Sequence, residues 1–256
     1  MFSVIKHTLR RNKHPVIILL GKFYDLLILL ISMAGYVPKN APASRTLAMA
    51  LSLVFMLYIG NYEPDNSSLA IIYFAISEFL YIGFLMLVLP GKGLRHRFAR
   101  KRGNEDAGYR TYETLLGFLF FHNAASIGYI ASSTPGGLFG FIHRDFLLIF
   151  VFLMFAGGFI IKILAAKAVT IEIYYWKDMF LGKKITDFVV TGPYKYFKNP
   201  MYGIGQVPAY ATAIWYGSKY GLTAAFLNQA LIFTFFFLVE KKFINRVYKN
   251  ITIEKS

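Results

Sequence analysis

The sequence predicts an all-α, polytopic integral membrane helical bundle of about six to seven transmembrane or interfacial helices. Three observations carry that expectation. Hydrophobic residues make up 56% of the 256-residue chain and charged residues only 16%, whereas soluble domains carry about 25% charged. Aromatic residues reach 18%, with 26 Phe and 18 Tyr, a composition suited to lipid and its interfaces. The basic residues behind the net charge of +15 stand in clusters between apolar runs, not along one polar face. That placement speaks against nucleic acid as a partner and for loops that meet anionic lipid. No cysteine is present, so disulfides, thiolate nucleophiles and Cys-ligated zinc are excluded.

The elements follow in order. Residues 16–34 are apolar, preceded by Lys6, Arg10, Arg11 and Lys13 and followed by Ala41-Pro42-Ala43. That order resembles a secretory signal. Lys22 and Asp25 interrupt its apolar core, however, and the small residues lie well downstream, so a retained helix is expected. Residues 47–60 are short for a crossing, which needs about 20 residues. The basic N-terminus and the basic loop at 92–110 should share a side, yet three apolar segments separate them, so either one of the first two is interfacial or re-entrant, the favoured reading, or the N-terminus faces outward. Residues 69–89, with Glu78 as the single charge, read as a span, as do 115–131, 146–161 and 221–239; 201–217 reads as a short one. Glu113 falls at a membrane edge. Residues 170–190 alternate aromatic and charged side chains and read as an interfacial helix.

Charge sets the orientation. Seven basic residues from Lys92 to Arg110, seven from Lys162 to Lys198 and four from Lys241 to Lys249 belong on the cytoplasmic side. The loop 132–143 then lies on the opposite side. The chain divides into residues 1–110, N-terminal membrane helices with a basic cytoplasmic loop, and residues 111–256, a core that carries the chemistry.

The most informative stretch is 191–205. Gly192-Pro193 is a turn signal. Asn199 followed by Pro200 reads as an N-cap and first helical position, and Pro208 is expected to kink the resulting helix near Ile204. Gly203 and Gly205 leave the backbone bare. One reading is a capped, kinked membrane helix packed through its glycines. The other is a helix N-terminus for an anionic group, flanked by Lys195 and Lys198, with Tyr194, Tyr196 and Tyr202 offering faces to a cation. His122, Asn123 and Ser126, in the span 115–131, are candidates for a general base or a headgroup contact, or else for helix–helix hydrogen bonds.

Gly192-Pro193-Tyr194, then Asn199-Pro200, then Tyr202-Gly203, followed by an apolar run to Glu240, resemble the C-terminal signature of the phospholipid methyltransferases, which are grouped with the isoprenylcysteine carboxyl methyltransferases. Tyr174 to Asp178 resembles the branch acting on phosphatidylethanolamine. The resemblance covers the second half of the chain. It implies methyl transfer from S-adenosylmethionine (SAM), without a metal, to the amine headgroup of a membrane phospholipid, phosphatidylethanolamine or its mono- and dimethyl forms, toward the cytoplasmic side. Carried over by position, the cofactor-binding set is Gly192, Pro193, Tyr194, Asn199, Pro200, Tyr202, Gly203, Gly205 and Glu240. Glu240, for the SAM ammonium or ribose, and His122, as candidate base, are the catalytic assignments. Two positions depart from the family pattern: Asn199 stands where many members have histidine, and Lys241 where many have a second glutamate. The alternatives are a different acceptor, such as an isoprenylcysteine carboxylate, or a steroid-reductase-type enzyme using NADPH, which this region resembles at Asn199-Pro200.

Overall fold

The computed structural model describes residues 15–38, 41–62, 67–91, 93–102 and 104–248. The basic residues at 6–13, Lys92 and Lys249 lie outside them. Among the described residues every regular element is helical: α1 (Pro15–Met33), α2 (Ala43–Tyr62), α3 (Ser67–Val88), α4 (Arg95–Arg102), α5 (Glu105–Ser133), α6 (Arg144–Tyr174), α7 (Lys177–Leu181), α8 (Val207–Trp215) and α9 (Lys219–Phe235). A π-helical turn, Phe236–Glu240, joins α9 to α10 (Lys241–Val247). Among the described residues four stretches are long and apolar enough to cross a membrane: Ser67–Val88, Glu105–Ser133, Arg144–Leu181 and Lys219–Val247. The protein is an integral membrane protein built as a helical bundle.

The helix boundaries follow from caps as much as from hydropathy. Asn104 accepts a hydrogen bond from the Ala107 amide at 2.6 Å, and Glu105 and Asp106 fill the first turn of α5, where they complement the helix dipole. At 29 residues α5 is roughly 43 Å long, so its capped end stands outside a hydrocarbon core of about 30 Å. Ser218 caps α9 in the same way, accepting from the Gly221 amide at 2.9 Å. Outward-facing Phe79, Phe146, Phe152 and Leu153 are exposed, as lipid-facing side chains of a bundle must be. Only 11% of the apolar window of Arg144–Leu181 is buried, so α6 lies at the rim.

The largest buried cluster joins α3, α5, α7, α9 and α10 near one end of the bundle, through Tyr81, Leu85, Tyr112, Met179, Phe235 and Phe243. Residues 110 and 111, where the sequence suggests a division, both lie within α5. Segment 170–190, expected to be an interfacial helix, packs part of its length into the protein. Tyr175, Trp176, Met179 and Phe180 are buried in this cluster, and the Tyr175 hydroxyl donates to the Ser32 carbonyl at 2.7 Å.

Polar side chains within the spans pair across helices. Glu78 Oε2 accepts from the carboxamides of Asn123 (2.7 Å) and Asn228 (2.9 Å), and Ser77 bonds Ser126 at 2.7 Å. Glu113, expected at a membrane edge, is buried 3.6 Å from the equally buried Arg45 of α2, whose guanidinium also donates to the Gly35 carbonyl at 2.8 Å. Gly35, with φ of +109°, sits backbone to backbone with Gly117 of α5. Any Cβ at either position would collide with the other's carbonyl, and this contact fixes α1 and α2 to α5.

The expected span 201–217 is a half-helix. Residues 201–203 form turns, Ile204–Gln206 a 3₁₀ turn, and α8 has nine residues, roughly 14 Å of axis. The helix starts at Val207, not Pro200, and Pro208 sits in its first turn rather than kinking it. A helix begun at Pro200 would place Pro208 in its interior, where the ring clashes with the carbonyl of Ile204. Gly203 and Gly205 would weaken it further, by about 1 kcal/mol each. Starting at Val207 puts Pro208 where its missing N–H costs nothing. Beyond α8, Gly217 (φ +61°) allows the chain to reverse against Gly136, whose amide donates to the Tyr216 carbonyl at 3.0 Å.

Candidate active site

The irregular stretch before α8 is held by its own side chains. Asn199 does not cap a helix; its Oδ1 accepts from the Tyr202 amide at 3.3 Å and its carbonyl from the Gly203 amide at 3.0 Å, closing a turn. The carbonyl of buried Pro200 accepts from the Gly205 amide at 2.8 Å. From α9, Gln229 Nε2 donates to the Tyr202 carbonyl at 2.8 Å and to that of Gly203 at 3.3 Å, while its Oε1 accepts from Tyr210 at 2.6 Å. Gly205 is needed for space: a Cβ there would stand 3.0 Å from the Pro200 oxygen and 3.4 Å from the stem of Lys162. Gly158 of α6 likewise leaves room for the Pro208 ring. Upstream, Gly192 takes a φ of +59° to open the turn that buries Pro193 and carries Tyr194.

This stretch closes on the end of the last span. The Tyr202 hydroxyl donates to Glu240 Oε2 at 2.7 Å, and the Trp176 indole also hydrogen-bonds the Glu240 carboxylate. Asn199, Tyr202 and Glu240 are therefore linked in series. Burial, and after it the adjacent Glu240 carboxylate, hold the Tyr202 phenol well above its ordinary range, so it remains a donor. Tyr194 is raised for the same two reasons, in the same order. Its hydroxyl is buried with no hydrogen-bond partner among the described residues. Tyr81, from α3, lies within electrostatic reach of both Glu240 and Tyr202.

Trp176 reaches Glu240 through an unusual backbone. Thr170 inside α6 has φ 72° and ψ 157°, and Trp176 is left-handed at φ 53°. Positive φ costs roughly 1–3 kcal/mol for such residues and persists only where surrounding packing imposes it. Here the burial of Tyr175 and Trp176 does so.

The structure thus brings Tyr194, Asn199, Pro200, Tyr202, Gly203, Gly205 and Glu240 together, with Gly192 and Pro193 forming the turn that presents Tyr194. His122 does not join them. Its Nδ1 lies 2.7 Å from the Tyr73 hydroxyl and its Nε2 2.9 Å from the Ser52 hydroxyl, in a link between α2, α3 and α5. Trp176 falls in the Tyr174–Asp178 stretch that the family resemblance covers, while Tyr81 and Gln229 are additions that the sequence did not single out. Gln229, a polar residue beside Asn228 in an apolar run, carried a legible signal.

Compared with known families, residues 146–251 match the sequence model of the phospholipid methyltransferases. That match takes in the last 29 residues of α6 and everything described after them. The matched stretch begins within α6, spans the whole Gly192–Gly205 stretch and includes Glu240. Tyr81, contributed to the same cluster by α3, stands outside it. No curated protein and no solved structure matches the chain.

Proposed function

We propose that the protein is a SAM-dependent methyltransferase that methylates the amine headgroup of a membrane phospholipid, phosphatidylethanolamine or its partly methylated forms. The observation that carries this reading is the Tyr202–Glu240 hydrogen bond, which ties the glycine-bare stretch 199–205 to a carboxylate at the end of the last span. The residues suit the cofactor. Glu240 is an acceptor for an ammonium or ribose hydroxyls, Tyr81, Tyr194 and Tyr202 present faces to a sulfonium, and the unpartnered Tyr194 hydroxyl is a free polar contact. SAM, when bound, supplies an electrophilic methyl group. The chain's contribution is alignment: Tyr202 and Trp176 fix the Glu240 carboxylate, and Gln229 fixes the backbone at Tyr202 and Gly203. The basic clusters at 92–110, 162–198 and 241–249 set this site toward the cytoplasmic face.

The test is transfer of labelled methyl from SAM to phosphatidylethanolamine in mixed micelles by the purified protein. An amine acceptor reacts only when neutral, so the rate should rise with pH toward the amine pKa. Absence of SAM binding in a lipid environment that keeps the protein folded would refute the reading, and a rate flat above about pH 5 would point to a carboxylate acceptor. Tyr202→Phe should weaken SAM binding by roughly 3–10-fold, since it loses the bond that positions Glu240 but keeps the carboxylate that meets the cofactor. Unchanged affinity in an isothermal titration would remove that bond from the cofactor site.

A further inference from the structure

The sequence reading groups Lys162 with basic residues of a loop, but the structure places it within α6, half-buried and facing the interior. Its stem lies against Gly205, and its ammonium stands 5.8 Å from the centre of the Phe120 ring. Among the described residues no carboxylate is in ion-pair contact with it. An unpaired ammonium facing the inside of a membrane bundle is costly and marks a place that an anion should fill.

Depth indicates which anion. Lys162 stands about 24 Å along the α6 axis from Phe146, at 1.5 Å per residue. Glu240 stands about 30 Å along the last span from Tyr220 on the same scale. Both helices start from the same face, because the 216–218 turn contacts the loop before α6 through Gly136 and through Thr134, which bonds Ser218 at 2.6 Å. Lys162 and Glu240 thus lie at similar depth, in the last part of a hydrocarbon core of about 30 Å, where a lysine stem can carry its ammonium to the adjoining headgroup layer that holds the lipid phosphates. Aromatic rings connect them: Phe120 packs on Tyr81 (5.7 Å) and Tyr174 (6.0 Å), and Tyr81 lies within electrostatic reach of Glu240. A cation with aromatic faces leading from it toward the cofactor carboxylate Glu240 complements a zwitterion with its phosphate on the cation and its amine over the rings.

We propose that Lys162 binds the phosphate of the acceptor phospholipid and so selects a zwitterionic headgroup, an assignment that rests on the methyltransferase reading above. The test compares wild-type protein with Lys162→Met, Lys162→Gln and Lys162→Arg in phosphatidylethanolamine mixed micelles. Lys162→Met and Lys162→Gln should raise the KM for phosphatidylethanolamine tenfold or more, the scale of a lost charge-assisted contact. Their SAM affinity should stay within twofold of wild type, and Lys162→Arg should recover most of the lipid KM. On wild-type protein alone, phosphatidic acid should compete with phosphatidylethanolamine and diacylglycerol should not. A rise in SAM Kd in place of lipid KM would assign the ammonium to the cofactor carboxylate. An unchanged lipid KM, or equal inhibition by the two amine-free lipids, would make Lys162 a membrane-border cation only. Each of these results overturns the proposal. A wild-type protein that neither binds SAM nor transfers methyl fails the methyltransferase reading itself, before any variant is compared.

Discussion

Glu240→Ala should weaken SAM binding by roughly 10–100-fold, equivalent to the 1.5–3 kcal/mol of a charge-assisted hydrogen bond. The carboxylate is half-buried and held by two donors from different parts of the chain, Tyr202 and Trp176. Its loss removes the acceptor and leaves the Tyr202 hydroxyl unpaired, so methyl transfer should fall at least as far. Glu78→Ala is the control. Glu78 also sits in a span, but its partners are Asn123 and Asn228, so that variant should lower thermal stability while keeping the wild-type SAM Kd. Equilibrium binding of labelled SAM to the three proteins in detergent separates the cases. Equal Kd values throughout would take Glu240 out of the site.

The relation between Glu240 and the 192–205 stretch was legible in the sequence because both belong to one short, chemically distinctive pattern. The local structure of that stretch was less so. Asn199-Pro200 carries a strong helix-start signal, but Pro208 eight residues later makes a helix through both positions unworkable, and the chain yields at the glycines. Long-range partners were opaque for a different reason. Trp176 reaches Glu240 only because Thr170 and Trp176 adopt positive φ, which neither residue type predicts. Glu78 and Glu113 looked solitary because their partners lie on other helices, at Asn123, Asn228 and Arg45. His122 shows the converse: a polar residue in a span signals a partner, and here the partners are Tyr73 and Ser52.

Arg45→Met should produce the largest loss of stability. Arg45 and Glu113 are exposed by only 2% and 1%, and removing one member of such a pair leaves the other charge buried, at a cost of roughly 3–5 kcal/mol. The loss also frees the Gly35 carbonyl that Arg45 binds, at the point where α1 and α2 are fixed to α5. Adding Glu113→Leu to Arg45→Met should restore much of the stability, since an apolar pair of similar volume carries no desolvation penalty. Thermal unfolding in one detergent, followed by circular dichroism, reads both effects. A single variant as stable as wild type, or a double variant no better than the single, would mean that the pair does not hold the N-terminal helices in place.

The most direct measurement is an experimental structure of the protein in lipid nanodiscs with S-adenosylhomocysteine bound. The product should lie between the Tyr194–Gly205 stretch and Glu240, with its amino-acid or ribose end on the carboxylate and its sulfur facing the tyrosine rings. Density for it elsewhere, for example beside His122 and Ser52, with the Tyr202–Glu240 contact intact and unengaged, would contradict the account.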